Sequence, residues 1–251
     1  MKIIGLDSGS TTTKGVLLSD GQLLAQSLVL TAGNPRKAME QVLTHLAQSG
    51  KTPVVTTGYG RKLIDSDKSV TEITCHAKGA AFLHPETVGI IDIGGQDSKT
   101  IQLDNMGFVT EFNMNDKCAA GTGRFVEVLM TILDEPIEQL DTFVKTAQPL
   151  KINSMCTVFA ETEVISLIAK GEEREDIALG VLHSICQRIA NQFTRVSSSV
   201  KGDVFFSGGL AKSDVMRQIL SEYTGRHIVT HPLAQYTGAI GAAILGMKKH
   251  L

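Results

Sequence analysis

The chain has 251 residues, of which 42% are hydrophobic and 20% are charged, as is typical of a globular protein and not of a disordered or fibrous one. Its formal net charge of -2 provides no electrostatic basis for binding nucleic acid or an anionic membrane surface. The sequence contains no long uncharged apolar run, and its first residues lead directly into a predicted strand, so we expect a cytoplasmic protein without a membrane segment.

The N-terminal section predicts three strands, near residues 2–7, 14–19 and 22–30, followed by a helix near 35–49 and a strand at 53–57. The helix is indicated by apolar residues whose spacing forms a single stripe along a helical surface. The members of this stripe are Ala38, Met39, Val42, Leu43 and Leu46.

The following section repeats this order, with strands near 87–92, 98–104 and 108–114, then helices, then a strand at 204–207. The order therefore indicates an internal repeat of supersecondary structure. We predict an α/β protein with two lobes around a nucleotide crevice. The first lobe is residues 1–70, with a C-terminal helix at about 232–251 packed against it, and the second lobe is residues 71–231.

A glycine-rich acidic phrase occurs twice, at residues 7–14 and 92–99, and each copy joins two predicted strands. Glycine allows a sharp turn and a close approach to a ligand, while turn N–H groups and hydroxyls form an anion-binding concavity. A single phrase of this kind is common turn chemistry. Two copies in matching contexts, together with Gly208-Gly209 after a later strand, favour a site that clamps a polyphosphate.

The four cysteines, at positions 75, 118, 156 and 186, form no CxxC pair, so a zinc ribbon or a thioredoxin motif is unsupported. An isolated cysteine is usually a small buried hydrophobe, and Cys186 lies on an apolar helical stripe. Cys75 lies next to His76, which could indicate a metal-binding or nucleophilic pair. Adjacent residues on a helix point about 100° apart, however, so these two side chains converge poorly on one ion. Cys118 and Cys156 each precede a predicted helix, whose N-terminus would stabilise a thiolate.

The turn at 207–210 and the small-residue segment 238–243, together with the two glycine phrases, resemble the superfamily of actin, sugar kinases and heat-shock-chaperone ATPases. Its fold has two ribonuclease-H-like α/β lobes. Within that superfamily the chain resembles the activators of 2-hydroxyacyl-CoA dehydratases over essentially its whole length. The segments that carry this resemblance are TGYGR at 57–61, DIGGQD at 92–97, NDKCAAGTGRF at 115–125 and CTVFAETEVIS at 156–166.

The resemblance implies an ATP-dependent electron donor, which is a homodimer with one [4Fe–4S] cluster between its subunits. Cys118 and Cys156 would be the cluster ligands, and a two-fold axis would supply the other two thiolates of the four that a cubane needs. Asp7 and Asp92 would act on the Mg²⁺ shell or on the attacking water. The terminal phosphates of ATP or ADP would be met by Gly9, Ser10, Thr11, Thr12 and Lys14 from one side and by Gly94, Gly95, Gln96 and Asp97 from the other. Gly208 and Gly209 would pass close to the adenosine.

The same resemblance implies reduction by ferredoxin or flavodoxin and electron transfer to a 2-hydroxyacyl-CoA dehydratase or a related reductase. Two other functions would use the same fold and the same nucleotide turns. The first is a small-molecule kinase, which needs a substrate pocket and a base for the acceptor hydroxyl but no paired cysteines. The second is an ATP-driven binding module without a redox centre.

Overall fold

The computed structural model describes residues 1–47, 52–152, 157–197 and 201–247, and within these ranges the strands form two five-stranded sheets. The first sheet contains β1 (Lys2–Ser8), β2 (Thr12–Ser19), β3 (Gln22–Leu30), β4 (Val54–Gly58) and β5 (Lys68–Ser69), in the order β3-β2-β1-β4-β5. The second contains β6 (Thr87–Ile93), β7 (Ser98–Leu103), β8 (Val109–Asn115), β9 (Asp203–Gly208) and β10 (Ile228–Val229), in the order β10-β9-β6-β7-β8.

The two sheets have the same topology, which confirms the predicted internal repeat. In each, the first strand pairs antiparallel with the second and parallel with the fourth. The registers also correspond. Asp7 lies opposite Lys14 and Thr57, and Asp92 lies opposite Lys99 and Ser207.

Eight α-helices lie in the described ranges. They are α1 (Pro35–Leu46), α2 (Glu72–Leu83), α3 (Gly123–Ile132), α4 (Leu140–Phe143), α5 (Thr157–Ala169), α6 (Arg174–Val196), α7 (Asp214–Thr224) and α8 (Thr237–Met247). The start of α1 is fixed by Pro35 in its first turn and by Asn34, whose side chain accepts a hydrogen bond from the N–H of Lys37. Of its predicted apolar stripe, all but the half-buried Leu43 are buried. The helix ends at Leu46, before the predicted 49, and residues 48–51 lie outside the described ranges.

The strands β1 and β2 of the first sheet are buried on both faces, toward which their successive side chains point in alternation. Ile3 and Leu18 belong to an apolar cluster on the α8 side, whereas Ile4 and Leu17 belong to one on the α1 side. The second sheet contributes to a larger core that also includes residues of α3, α5, α6 and α7. Both sheets are therefore covered by helices, as expected of an α/β fold.

Helices α2 and α8 pack against each other at very short range because glycine occupies the contact points. A β-carbon at Gly79 would overlap the carbonyl of Thr237, and one at Gly241 would overlap the carbonyl of Cys75. Helix α8 also contacts β1 and β4, while α2 contributes Cys75 to the core beside the first sheet and Ala80 to the core of the second. The lobe division between residues 70 and 71 stays a prediction, since residues of α2 belong to the cores of both sheets.

Within the part of the chain that the structure describes, no helix has the length and apolar character needed to cross a membrane.

Candidate functional site

The two glycine phrases face one crevice of about 710 Å³, whose walls come from both sheets. The strands β1 and β6 reach this crevice at their C-terminal ends, where Asp7 and Asp92 are their second-to-last residues. Every residue predicted to meet nucleotide or magnesium lines it. These residues are Asp7, Gly9, Ser10, Thr11, Thr12, Lys14, Asp92, Gly94, Gly95, Gln96, Asp97, Gly208 and Gly209.

The first turn, between β1 and β2, is fixed by two hydrogen bonds from Thr31. The Thr31 N–H donates to the carbonyl of Thr11 over 2.9 Å, and its hydroxyl donates to the carbonyl of Gly9 over 2.9 Å. The Gly9 N–H closes the turn on the carbonyl of Thr12 over 3.2 Å. A β-carbon at position 9 would lie 2.9 Å from that carbonyl, so this tight turn requires glycine.

The second turn, between β6 and β7, is tied directly to the start of α3. The N–H of Gly123 donates to the carbonyl of Gly94 over 2.8 Å, and the N–H of Arg124 donates to the carbonyl of Gly95 over 2.9 Å. Gly95 also abuts the first turn, since a β-carbon there would overlap the side chain of Thr11. The two turns are therefore in contact, and the second is connected through hydrogen bonds to α3.

Asp92 is a buried carboxylate whose two oxygens are both engaged. Ser207 Oγ donates to Oδ1 over 2.7 Å, and Lys99 Nζ donates to Oδ2 over 3.3 Å. Burial alone would raise the pKa of Asp92, but the charges of His76 and Lys99 and the Ser207 hydrogen bond more than offset it. The pKa of Asp92 therefore lies well below its ordinary value, and this residue is a fixed anion.

Lys99 is the centre of a buried cluster of charges, with only 1% of its surface exposed. Its ammonium group also lies 2.9 Å from Glu72 Oε1 and 2.8 Å from Asp97 Oδ2. Burial opposes the charged form, but the three carboxylates outweigh it and raise the pKa of Lys99. Asp97 has a raised pKa because burial outweighs the attraction of Lys99.

Asp7 has a different environment, although it occupies the equivalent register. It is buried, and among the described residues its Oδ1 atom has no hydrogen-bond partner. Burial raises its pKa, and the positive charge of Lys14 only partly offsets this effect. Glycine keeps the neighbouring backbone clear of the carboxylate, since β-carbons at Gly58 and Gly238 would each lie 2.5 Å from one of its oxygens.

These features fit a magnesium ion next to Asp7. A buried carboxylate oxygen without a partner is costly unless a ligand, ion or water satisfies it. Mg²⁺ usually takes one or two carboxylates, several waters and substrate phosphates as its ligands. Asp7 offers a carboxylate of this kind at the wall of a polar crevice.

Cys118, the predicted cluster ligand that lies within the described residues, is not part of this crevice lining. Cys118 is half-buried in the segment between β8 and α3 and forms no disulfide. Asn115 fixes that segment, because its side chain accepts from the N–H of Cys118 over 3.1 Å and donates to its carbonyl over 2.8 Å. A partly exposed thiol on a fixed segment fits a metal ligand. Cys156 lies outside the described residues.

The prediction that Cys118 lies at a helix N-terminus is wrong. The residue does not stand at a helix N-terminus, because α3 begins five residues later, at Gly123, after an irregular turn. The N–H groups of Gly123 and Arg124 are used by the second phosphate turn and do not face a thiolate. In contrast, α5 begins at Thr157, directly after Cys156. Cys75 and Cys186 are buried, and burial raises the pKa of Cys75 to about 12.

The sequence did not single out three members of the charge cluster as site residues: Lys99, Glu72 and His76. Lys99 could have been found from spacing, because Asp–Lys pairs seven residues apart, at 7 and 14 and at 92 and 99, occur in both copies of the repeat. Glu72 and His76 come from α2, whose close packing on α8 brings them to the crevice. That contact is tertiary, and no local pattern predicts it.

Comparison with known proteins gives consistent matches over the full length. Residues 4–246 match the BadF/BadG/BcrA/BcrD ATPase family. The chain is 48% identical to the uncharacterized protein YjiL of Escherichia coli, covering 98% of this chain and 96% of that protein. It is 42% identical to the (R)-2-hydroxyglutaryl-CoA dehydratase activating ATPase of Acidaminococcus fermentans, covering 98% and 97% respectively.

Two solved structures are similar to this chain over nearly their whole length. The activator of the 2-hydroxyisocaproyl-CoA dehydratase from Clostridium difficile, solved with bound ADPNP, is similar with a TM-score of 0.90 at 37% identity, covering 100% of this chain and 98% of that chain. A ROK family glucokinase from Streptomyces griseus is similar with a TM-score of 0.60 at 12% identity, over 98% of this chain and 99% of that chain. The second likeness shows only a shared fold, which confirms the predicted two-lobed fold of the actin and sugar-kinase type.

Proposed function

The chain belongs to the BadF/BadG/BcrA/BcrD ATPase family, and on that premise we propose that it is an ATP-dependent activator that delivers a low-potential electron to a 2-hydroxyacyl-CoA dehydratase or a related reductase. The observation that carries the proposal is the pair of hydrogen bonds from Gly123 and Arg124 to the carbonyls of Gly94 and Gly95. These bonds connect the phosphate crevice to the segment that bears Cys118.

In this account the two glycine turns hold the polyphosphate of ATP between them. Lys14 and the hydroxyls of Ser10, Thr11 and Thr12 line one wall, and the second turn lines the other. Gly208 and Gly209 follow β9 at the same edge of the second sheet, as a nucleoside next to the phosphates would require. Gly208 has a φ of 98° and lies so close to Ile93 that a β-carbon would overlap its carbonyl.

The two aspartates divide the work of hydrolysis. Asp92 stays ionised and is fixed by Ser207 and Lys99, so it provides a stationary negative charge at the wall of the crevice. Asp7 keeps one oxygen available and has a raised pKa, which suits a group that orients the attacking water or accepts its proton. Asp7 would hold Mg²⁺ directly or through water, and the ion would neutralise charge on the phosphates.

Cys118 and Cys156 from each of two copies of the chain would hold one [4Fe–4S] cluster, which supplies a single low-potential electron. Both segments border exposed apolar side chains. Strand β8 exposes Phe112 and Met114 shortly before Cys118. Helix α5 exposes Phe159 and Ile165 shortly after Cys156. A homodimer would cover these surfaces and bring the thiols of both subunits together.

Coupling follows from the contacts of α3. A change of position in the second turn, on loss of the terminal phosphate, would move the first residues of α3 because their N–H groups are bonded to it. Helix α3 packs against α5, so the same movement would reach the segment of Cys156. Ferredoxin or flavodoxin would re-reduce the dimer between cycles.

The experiment is anaerobic activation of a purified 2-hydroxyacyl-CoA dehydratase in the presence of dithionite. We expect activation with ATP but not with a non-hydrolysable ATP analogue, and no activation by Asp92→Asn. The control variant is Asp65→Asn, whose exposed carboxylate lies outside the crevice lining and should leave activation unchanged. Activation by Asp92→Asn at the wild-type rate, or ATP-dependent phosphorylation of a small-molecule acceptor in place of activation, would contradict the proposal.

A further inference from the structure

Four side chains with metal-binding atoms meet at the end of the second sheet that lies opposite the nucleotide crevice. His84 follows α2, Glu86 precedes β6, Asp203 begins β9 and His227 directly precedes β10. Strands β6 and β9 run parallel, and their other ends carry Asp92 and its neighbours. Glu86 and Asp92 are six positions apart along extended β6, which places this cluster about 20 Å from the crevice.

The cluster is held together by short contacts to Asp203. His84 Nε2 lies 2.7 Å from Asp203 Oδ2, and His227 Nδ1 lies 2.8 Å from Asp203 Oδ1. One ligand atom each from His84, Glu86 and Asp203 lie within 4.8 Å of one another. The backbone supports the arrangement, because the N–H of Asp203 donates to the carbonyl of Glu86 over 3.3 Å.

We propose that His84, Glu86 and Asp203 bind a divalent transition-metal ion of the zinc type, and that His227 orients the Asp203 carboxylate. One imidazole and two carboxylates are a donor set that zinc accepts, with water in the remaining position. Tetrahedral zinc places its ligand atoms about 3.4 Å apart. The three ligand atoms here lie within 4.8 Å of one another, so small side-chain rotations would bring them to that spacing. Glu86 is exposed and can make such a rotation.

His227 provides an independent feature of a built site. Carboxylates that bind metals are usually held by a hydrogen bond from a further group, and loss of that group typically weakens binding 10- to 100-fold. His227 occupies this position, since its Nδ1 atom contacts Asp203 Oδ1. The other carboxylate oxygen, Oδ2, faces His84.

Such an ion would join three segments that are distant in sequence. It would fix the connection between α2 and β6 to the start of β9, and through His227 to the start of β10. The expected consequence is a more stable second sheet, because binding to the folded state alone raises the unfolding temperature. At a zinc concentration of 100 times Kd, we expect a rise in Tm of about 5 to 10 °C.

The test is equilibrium dialysis of the full chain against ZnCl₂ at pH 7.5, followed by metal analysis. Free thiols such as those of Cys118 and Cys156 would also bind zinc, so the proposal depends on the difference between variants. Compared with the wild type, Glu86→Gln and His84→Gln should each hold one zinc fewer per chain at a concentration that saturates the wild type. His227→Gln should bind that zinc at least tenfold more weakly.

The control is His183→Gln, which alters a histidine on α6 that contacts Tyr223 and lies outside the cluster. It should retain the full zinc content. Because Glu86 is exposed, Glu86→Gln should fold normally, and unchanged ATP binding would verify this. Equal zinc content and equal zinc-induced shifts in Tm for the wild type, Glu86→Gln and His84→Gln would overturn the proposal.

Discussion

Lys99 and Asp92 face each other across β6 and β7, and the lysine ammonium lies 3.3 Å from the Asp92 carboxylate. Asp7 and Lys14 occupy the same register in the first sheet, yet Asp7 keeps one carboxylate oxygen without a hydrogen-bond partner among the described residues. The duplicated fold therefore presents two equivalent carboxylates in unequal environments. This inequality underlies the proposed division of roles and leads to opposite predictions for the two aspartates.

Replacing Asp7 by Asn should stabilise the nucleotide-free protein at pH 7 while abolishing ATP hydrolysis. The pKa of Asp7 is raised above its ordinary value of 3.8, so holding the charged form in the folded state opposes folding above that pH. The gain should be about 1 kcal/mol and should be lost as the pH falls below the ordinary value of 3.8, where Asp7 becomes protonated in both states. Urea denaturation at pH 7 and about pH 3 measures this difference.

The matched variant, Asp92→Asn, should instead destabilise the fold. The pKa of Asp92 is lower in the folded protein than in the unfolded chain. Its charge therefore stabilises the folded state at any pH above the pKa of the unfolded chain, and this stabilisation is lost as the pH falls through the pKa of the folded state. The loss caused by Asp92→Asn should therefore be full at pH 7 and smaller in acid. Equal effects of the two substitutions on the free energy of unfolding would refute the unequal environments.

Replacing Lys99 by Met should destabilise the protein strongly at neutral pH. The substitution removes the ammonium group that Asp92, Glu72 and Asp97 share. Their carboxylates then lack a neutralising cation in a buried site. Breaking a buried ion pair in this way costs about 3 to 5 kcal/mol. Urea denaturation compares the variant with Lys145→Met, an exposed lysine that should change the free energy of unfolding by less than about 0.5 kcal/mol. Similar values for both variants would contradict the role of Lys99.

A methyl group at Gly95 should weaken ATP binding by at least tenfold. The added β-carbon would overlap the side chain of Thr11, so the two phosphate turns would have to separate. Small displacements of positioning groups cause losses of up to about 100-fold. Titration with ATP and Mg²⁺ measures the change. The control is Gly33→Ala, where a β-carbon meets nothing within 4 Å; affinity equal to that of this control would show that the turns do not act as a clamp.

Alkylation should distinguish the cysteines of the iron-free native protein. Cys118 is partly exposed, whereas Cys75 and Cys186 are buried and have raised pKa values because of that burial. The thiolate is the reactive form, so iodoacetamide at pH 8 should modify Cys118 and leave the other two unmodified. Mass spectrometry of the digested protein measures each site. Modification of Cys186 at the rate of Cys118 would contradict this assignment.

The sequence predicted the fold well where local patterns determine structure. Four strands of each sheet and the start of α1 were predicted within a few residues, because apolar runs, turn glycines and helical spacing are local signals. The two-residue strands β5 and β10 were not predicted. The buried face of α3 was only partly predicted. Helical spacing from Phe125 predicts that Val128, Leu129 and Ile132 share its apolar face. Phe125 and Leu129 are buried, but Val126 and Met130 are buried in place of Val128 and Ile132. Packing against α5 and α6 determines that rotation, and it has no local signal.

The candidate site shows the same division. The glycine turns and both aspartates were recognisable because a sharp turn needs glycine and each turn directly follows a strand. Glu72 and His76 were not, because they reach the crevice only through the packing of α2 on α8. The position of Cys118 relative to α3 was wrong because the segment 119–122 forms an irregular turn before the helix. Cys156 lies outside the described residues, so its pairing with Cys118 stays a prediction.

The most direct measurement is the iron and acid-labile sulfide content of the anaerobically purified protein, together with its oligomeric state. The account predicts a dimer with about four irons, as expected of one cubane cluster held by four thiolates. Cys118→Ser should abolish iron binding, and Cys186→Ser should retain it. A wild-type dimer without iron after anaerobic reconstitution, or a full complement of iron in Cys118→Ser, would contradict the proposal that this chain carries an electron on a cluster shared by two subunits.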